Sequence, residues 1–266
     1  MIDISGRLFI STVADAAAGL AREYGLGLEI AEFCTAFNMD TDFETWDDLV
    51  RRQMRGVNRF MFHAPFNELC PAAVDPMIAG VAEKRYAQAA ALMNSYGINA
   101  MVVHSGFMSV LYHESWFKEK SVEFWKRFLS DKPENFKLYL ENVFEQTSDL
   151  LINIVAAVND NRFRLCLDVG HAAKCDANDG VRGWMTRMLP FLGHVHLHNN
   201  DGERDAHNAL GNGIIDMAAF IQNTAETAPD VSFTIETSCG KASVDWLKAN
   251  RFLSSKNLSD NYRYDG

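Results

Sequence analysis

A (β/α)8 barrel forming a single domain is the fold this sequence predicts, and three observations lead to it. Short runs rich in β-branched, aromatic and leucine residues alternate with longer stretches of helical spacing. The alternation repeats close to eight times, the number of units in a closed α/β barrel. A chain of 266 residues, 48% of them hydrophobic, is long enough to bury one sizeable core. With 17 glycines and 6 prolines it is neither a disordered nor a collagen-like chain.

The strand candidates, in order, are residues 8–11, 26–33, 60–63, 100–104, 137–141, 164–168, 194–198 and 232–236. Between them apolar residues recur at 3.6-residue spacing, as at Val81, Ala82, Ala89, Leu92, Met93 and Tyr96, and again over 150–158. The segment 107–125, after the fourth strand, carries Tyr112, His113, Trp116 and Trp125. These rings could roof a ligand, but covering the top of the fourth helix as ordinary core is the favoured reading. Gly211-Asn212-Gly213 sets the chain into the helix after the seventh strand, with Asp216 as its N-cap. A doubly wound open sheet is the rival; it is disfavoured because GxGxxG and P-loop fingerprints are missing. The barrel is expected over 1–254, followed by a polar tail at 255–266.

Charge and cysteine usage narrow the function. The net charge of −10 has the wrong sign for a broad nucleic-acid face. Arg51, Arg52, Arg55 and Arg59 are the one basic cluster, and at that spacing they suit the solvated face of a helix. The five cysteines show no CxxC spacing, which argues against a disulfide framework or a thiolate zinc site. The N-terminus lacks the pattern of a secretory signal, and no run of 18 apolar residues occurs. The expectation is a soluble cytoplasmic protein without membrane contact; a homo-oligomer is compatible with this composition.

The chemistry lies where the strands end. Side chains alternate faces along a strand, so Leu138 and Leu140 under the helices turn Glu141 inward. Leu165 and Leu167 do the same for Asp168, and Phe233 and Ile235 for Glu236. Val195 and Leu197 turn His194, His196 and His198 inward, while His63 and His104 close the third and fourth runs. His171 follows three residues after Asp168, and Asp205 and His207 follow the seventh strand. Any one of these alone is more often a hydrogen-bonded structural residue or a turn former. Together, His63, His104, Glu141, Asp168, His171, His196, Asp205, His207 and Glu236 face one mouth, at the carboxyl ends where barrel active sites sit. Crowded carboxylates raise one another's pKa unless a cation neutralises them. Imidazoles mixed with carboxylates suit Zn²⁺, Mn²⁺ or Co²⁺, whereas magnesium or calcium sites use fewer imidazoles.

From Phe60 to Ser238 the chain resembles the xylose isomerase-like TIM barrel superfamily, which includes endonuclease IV and many sugar and sugar-phosphate isomerases and epimerases. The resemblance rests on FHAPF (62–66), VVHSG (102–106), LENV (140–143), LDVGHA (167–172), HVHLHNND (194–201), DAHNALGNGIID (205–216) and IETS (235–238), in register with the strand ends. It implies a core divalent metal held by Glu141, Asp168, His196 and Glu236. An endonuclease IV-like arrangement of three zinc ions would add His63 and His104 for one ion, and His171, Asp205 and His207 for another. The cofactor implied is therefore one to three ions. His194 then lies deeper than the metal, and His198 beyond the rim, as supporting or structural residues.

Two reactions fit such a mouth. In the favoured one, a sugar or sugar phosphate is isomerised or epimerised through a metal-stabilised enediolate. Glu141 and Glu236 exchange the proton, and His171 and Arg204 are candidates for holding substrate hydroxyls or a phosphate. Arg204 is equally well a solvated loop cation. The alternative is zinc-dependent phosphodiester hydrolysis at abasic sites, with nucleic acid as partner. The complete nine-residue set favours it; the charge of −10 and the scarcity of Lys and Arg in the loops after the strands oppose it. A metal-binding protein without catalysis ranks last.

Overall fold

The computed structural model describes residues 2–175 and 180–254, and the predicted barrel is there in full. Eight parallel strands close in chain order: β1 (Leu8–Ser11), β2 (Gly27–Ile30), β3 (Phe60–His63), β4 (Ala100–His104), β5 (Lys137–Glu141), β6 (Phe163–Asp168), β7 (Leu192–Leu197) and β8 (Ser232–Ile235). β1 pairs with both β2 and β8, which completes the cylinder and removes the open edges of a sheet. Outside it lie α1 (Ala17–Tyr24), α2 (Phe43–Met54), α3 (Pro76–Ser95), α4 (Glu114–Leu129), α5 (Asp149–Val158), α6 (Val169–Cys175), α7 (Gly180–Met188), α8 (Met217–Thr227) and α9 (Gly240–Ala249). The tail expected at 255–266 lies outside the described residues. Among the described residues no helix is long and apolar enough to cross a membrane.

Strand alternation separates two cores. Leu138, Leu140, Leu165, Leu167, Val195, Leu197, Phe233 and Ile235 are buried beneath the helices. Phe9, Met61, Val102, Tyr139 and Cys166 form a second cluster that plugs the cylinder. Gly27 leaves room for that plug, because a Cβ there would stand 2.2 Å from the Phe9 ring. Two residues further along each strand the same inward face continues as Glu29, His63, His104, Glu141 and Asp168. A polar layer thus rests directly on an apolar one, and that boundary is the floor of the mouth.

Several boundaries differ from the sequence reading. The second strand ends at Ile30 rather than 33, because Ala31 N–H donates to Thr12 Oγ1 (2.9 Å) and Cys34 N–H to Ala31 O in a turn (3.1 Å). β7 starts at Leu192 and β8 stops at Ile235, although Glu236 N–H still donates to Leu197 O at 3.0 Å. The helix expected at 81–96 begins five residues earlier at Pro76, where Asp75 caps it by accepting from Met77 N–H. Asp216 caps α8, its Oδ1 accepting from Ala219 N–H at 3.0 Å.

Of the basic cluster, Arg51, Arg52 and Arg55 are exposed on or just after α2, as a solvated helix face, while Arg59 is half-buried. Arg51 pairs with Asp47 one turn away at 2.8 Å on α2, an exposed helix pair. Arg59 points away from the mouth and donates to Ser5 O, Leu8 O and Gly25 O at the opposite end of the barrel.

Candidate active site

The register of the closed sheet sets the polar layer. His104 pairs with Glu141 across β4 and β5, and Asp168 with His196 across β6 and β7. Donor atoms of Glu141, Asp168, His196 and Glu236 all lie within 4.8 Å of one another. His196 Nδ1 stands 3.0 Å from Glu236 Oε2, 3.5 Å from Glu141 Oε1 and 4.0 Å from Asp168 Oδ2. Yet His196 Nδ1 and Glu141 Oε2 are buried without a hydrogen-bond partner. Atoms about 2.0–2.2 Å from a shared ion stand roughly 3 to 3.6 Å from one another and point at the ion rather than at each other. Close approach without hydrogen bonds is therefore what a divalent-cation donor set looks like, and the residues present fit one.

The remaining predicted positions adjoin this centre in two groups. His63 and His104 each place Nε2 3.5 Å from Glu141 Oε2. On the other side, His171 Nε2 lies 3.0 Å from Asp205 Oδ2 and His207 Nε2 3.4 Å from Asp205 Oδ1. Three of these rings are oriented by the backbone: Nδ1–H donates to Ala64 O in His63 (2.9 Å), to Asn142 O in His171 (2.9 Å) and to Glu236 O in His207 (2.8 Å). That leaves each Nε2 turned to the acids, the tautomer a metal ligand needs.

Loop chemistry holds the outer group in place. Asn199 donates to Leu210 O and Ile215 O and accepts from Ile215 N–H, folding the loop after β7 back on itself. Asn200 Nδ2 donates to Gly170 O at 2.8 Å and ties that loop to α6. His207 sits at φ +44°, an uncommon conformation for a non-glycine residue and one that concentrates at functional sites.

The acids and imidazoles perturb each other. Burial raises the Glu141 carboxyl, but His104 and His196 outweigh it and hold the group well below its ordinary value. Asp168 and Asp205 are likewise driven down against their burial, Asp168 mainly by His171 and His198, and Asp205 by His171 and His207. His207 rises to about 9 against its burial because of Asp205, and His104 falls to about 4 through burial.

Sequence reasoning missed Glu29. Its carboxylate is fully buried, with Oε1 3.1 Å from His196 Nε2 and Oε2 accepting from Thr234 Oγ1 at 2.6 Å. Alternation could have found it, since Leu28 and Ile30 under the helices turn Glu29 inward. His194 is deeper, as expected, held by Ser232 Oγ (2.7 Å) and Thr234 Oγ1 (2.9 Å). His198 is not beyond the rim; it is fully buried, and its Nε2 lies 2.9 Å from Asp168 Oδ1. Gly170 makes that possible, because a Cβ there would stand 1.9 Å from the His198 ring. Cys166 also adjoins His194 and His196, but burial pushes its thiol far up, away from a thiolate.

Above the floor opens a cleft of about 640 Å³, lined by His104, Glu141, His171, Asp205, His207 and Glu236 together with residues of the loops after β3, β4 and β5. Tyr112 lines it, whereas Trp125 is core, packed against Tyr86 and Phe163. Trp116 donates its indole N–H to Ala72 O at 3.2 Å, and His113 is exposed at the start of α4. Arg204 is exposed outside the lining, its backbone N–H donating to Asp201.

Comparison with known proteins places this fold among others. The description of xylose isomerase-like TIM barrels matches residues 11–256. An uncharacterised protein of Methanocaldococcus jannaschii is 24% identical over 200 residues, 65% of this chain and 62% of that protein, so the chain spans under two thirds of that relative. A Thermus thermophilus protein whose crystal was soaked with ZnCl2 superposes with a TM-score of 0.71 at 21% identity, covering 92% of this chain and 97% of that one. A D-tagatose 3-epimerase-like protein gives 0.72 at 20% identity, with the same coverages of 92% and 97%. At these identities the superpositions establish a shared fold.

Proposed function

Because the chain belongs to the xylose isomerase-like TIM barrel family, we propose that it is a divalent-metal-dependent isomerase or epimerase acting on a small sugar. The convergence of Glu141, Asp168, His196 and Glu236 on one point at the floor of a cleft carries this reading. A bound Zn²⁺, Mn²⁺ or Co²⁺ would supply Lewis-acid polarisation of a carbonyl and its neighbouring hydroxyl. The four residues named would hold it, with Glu29 behind His196.

Proton transfer falls to the two glutamates. Glu236 follows β8 with its side chain 12% exposed to the cleft, while Glu141 ends β5 at 1%. Glu236 is the better placed to remove a proton from the carbon beside the carbonyl, and Glu141 to return one from another side. His171, whose Nδ1–H donates to Asn142 O, keeps Nε2 beside Asp205 and is positioned to accept from a substrate hydroxyl.

Zinc-dependent hydrolysis of abasic DNA is the second reading, favoured by one observation: all nine candidate ligands fall into three adjoining groups. Against it, the cleft lining carries Glu68, Glu141, Asp205 and Glu236 but, among the described residues, a single lysine, Lys174, where a phosphate backbone demands cations. Two assays separate the readings. Incorporation of solvent deuterium into a ketose supports proton transfer. Incision of an abasic-site duplex at low salt, with about three zinc ions per chain and no deuterium exchange, would overturn it.

A further inference from the structure

We propose that the outward face of α3, with the loop after β4 beside it, is the contact surface of a homodimer. The inference is independent of the isomerase reading, since it concerns how the chain associates and not what it turns over.

α3 is apolar on two sides. Ala82, Tyr86, Ala89 and Met93 pack inward as core, yet Met77 is 79% exposed and Val81 52%, with Val74 and Ile78 exposed beside them. The outer helix of a barrel ordinarily turns polar residues to water, and a helix that is apolar all round is one covered on both sides. The loop after β4 adds Met108, Val110, Leu111 and Trp116, with Val110 89% exposed. The two segments are neighbours: Trp116 donates its indole N–H to Ala72 O, shortly before α3, and Ile78 and Met108 line the same cleft. Eight of the thirteen large hydrophobic side chains exposed among the described residues therefore share one patch. At these exposures they present on the order of 800 Å², beyond the roughly 300–600 Å² of the largest apolar patch on a typical monomer and near the share each partner contributes to a standard interface.

The order of residues along the helix points to a second copy as the occupant. Met77, Gly80, Val81 and Lys84 are all exposed and follow one another at helical spacing, so they form one stripe. A Cβ on Gly80 would meet nothing within 4 Å, so packing within this chain does not require glycine there, although glycine weakens a helix interior relative to alanine. Laid antiparallel across a two-fold axis between residues 80 and 81, the stripe matches itself. Each Val81 enters the gap at the other copy's Gly80, and each Met77 lies along the methylene stem of the other copy's Lys84, whose ammonium reaches water. No charged residue falls within 76–82 or 105–112, so two chains of net charge −10 can meet here without setting like charges face to face. Glu83, at the edge, is paired with Arg127 at 3.1 Å. A membrane is the poorer occupant, because Asp75, Glu83 and Glu114 flank the patch against one lysine, Lys84, and an anionic lipid surface calls for Lys and Arg. Since Met108 and Tyr112 also line the cleft, pairing would fix one wall of the mouth.

Sedimentation of the full chain at micromolar concentration tests this, with a mass of twice the chain expected. Val81→Glu sets two carboxylates together at the axis and Gly80→Leu fills the gap; each should raise the dimer dissociation constant about tenfold or more. Ile214→Glu, at an exposed position in the loop after β7, should leave it unchanged. Hydrogen exchange of the native chain gives a readout without substitution: the amides of 108–112 should exchange more slowly where the dimer forms than on dilution. A native chain that stays monomeric, a dimer indifferent to both patch variants, or one weakened as much by Ile214→Glu overturns the proposal. So does exchange over 108–112 that is the same at both concentrations, or a monomer that binds phosphatidylcholine–phosphatidylserine vesicles. On an uncovered helix face Gly80→Leu would instead raise the melting temperature and leave the mass unchanged, which also overturns it.

Discussion

Replacing Glu29 by glutamine should weaken metal binding about 10- to 100-fold while leaving the barrel folded. The carboxylate is fully buried behind the metal-facing layer, where Oε1 lies 3.1 Å from His196 Nε2 and Oε2 takes the Thr234 hydroxyl hydrogen at 2.6 Å. With Nδ1 holding the cation, the other ring nitrogen would carry the proton, and an anionic acceptor beside it would make the imidazole a stronger donor to that cation. Glutamine keeps the volume and one acceptor oxygen but removes the charge, so the loss is expected at roughly 1.4–2.7 kcal/mol of metal affinity. Leucine should do more harm, leaving the Thr234 hydroxyl without a buried acceptor at about 1–3 kcal/mol of folding stability. Zinc affinity by competition with a chromophoric chelator and chelator-treated melting curves separate the two effects. The ¹⁵N shifts of the His196 ring report its tautomer. A Glu29→Gln protein that binds zinc within twofold of the native chain, with an unchanged His196 tautomer, would refute the reasoning.

The other predictions concern the site and one surface pair. Glu236→Gln should abolish deuterium exchange into a ketose with little change in the melting curve of the chelator-treated protein, because the side chain is partly exposed to the cleft; near-native turnover would contradict its assignment. Chelation should lower the melting temperature, since a metal at 100 times its dissociation constant stabilises the folded state by about 2.7 kcal/mol; coincident melts with and without zinc would mean that no such site exists. Asp40 is held at about 2 by hydrogen bonds from Arg85 and then Gln88. Its contribution to stability is therefore present above the unfolded carboxyl value of about 3.9 and lost as pH falls through about 2. A ¹³C carboxyl titration should show that low midpoint, with a rise toward the free value in Arg85→Ala and a further rise when Gln88 is also replaced; a native midpoint near 4 would remove the claim.

How far the sequence can be read depends on whether a residue's role is set locally. Strand alternation is local, so the inward direction of Glu141, Asp168, His196 and Glu236 follows from the leucines, valine, phenylalanine and isoleucine that alternate with them. The same rule, applied within the second strand, turns Glu29 inward as well. Nothing nearby in the chain shows its partner, however, because His196 lies 167 positions away and meets it only across the closed cylinder. His198 was misplaced for a related reason: the space that buries it against Asp168 is made by Gly170, on a different βα unit.

By itself, then, the order of apolar and polar residues determined eight βα units and a mouth crowded with acids and imidazoles, since both depend on periodicities of a few residues. Tertiary structure decided which atoms face one another across the barrel, which ring nitrogens the backbone carbonyls occupy, and that the loops after β3, β4 and β5 wall the cleft on one side. Those outcomes need the sheet to close, because closure is what brings side chains distant in sequence within hydrogen-bonding and ligand distance.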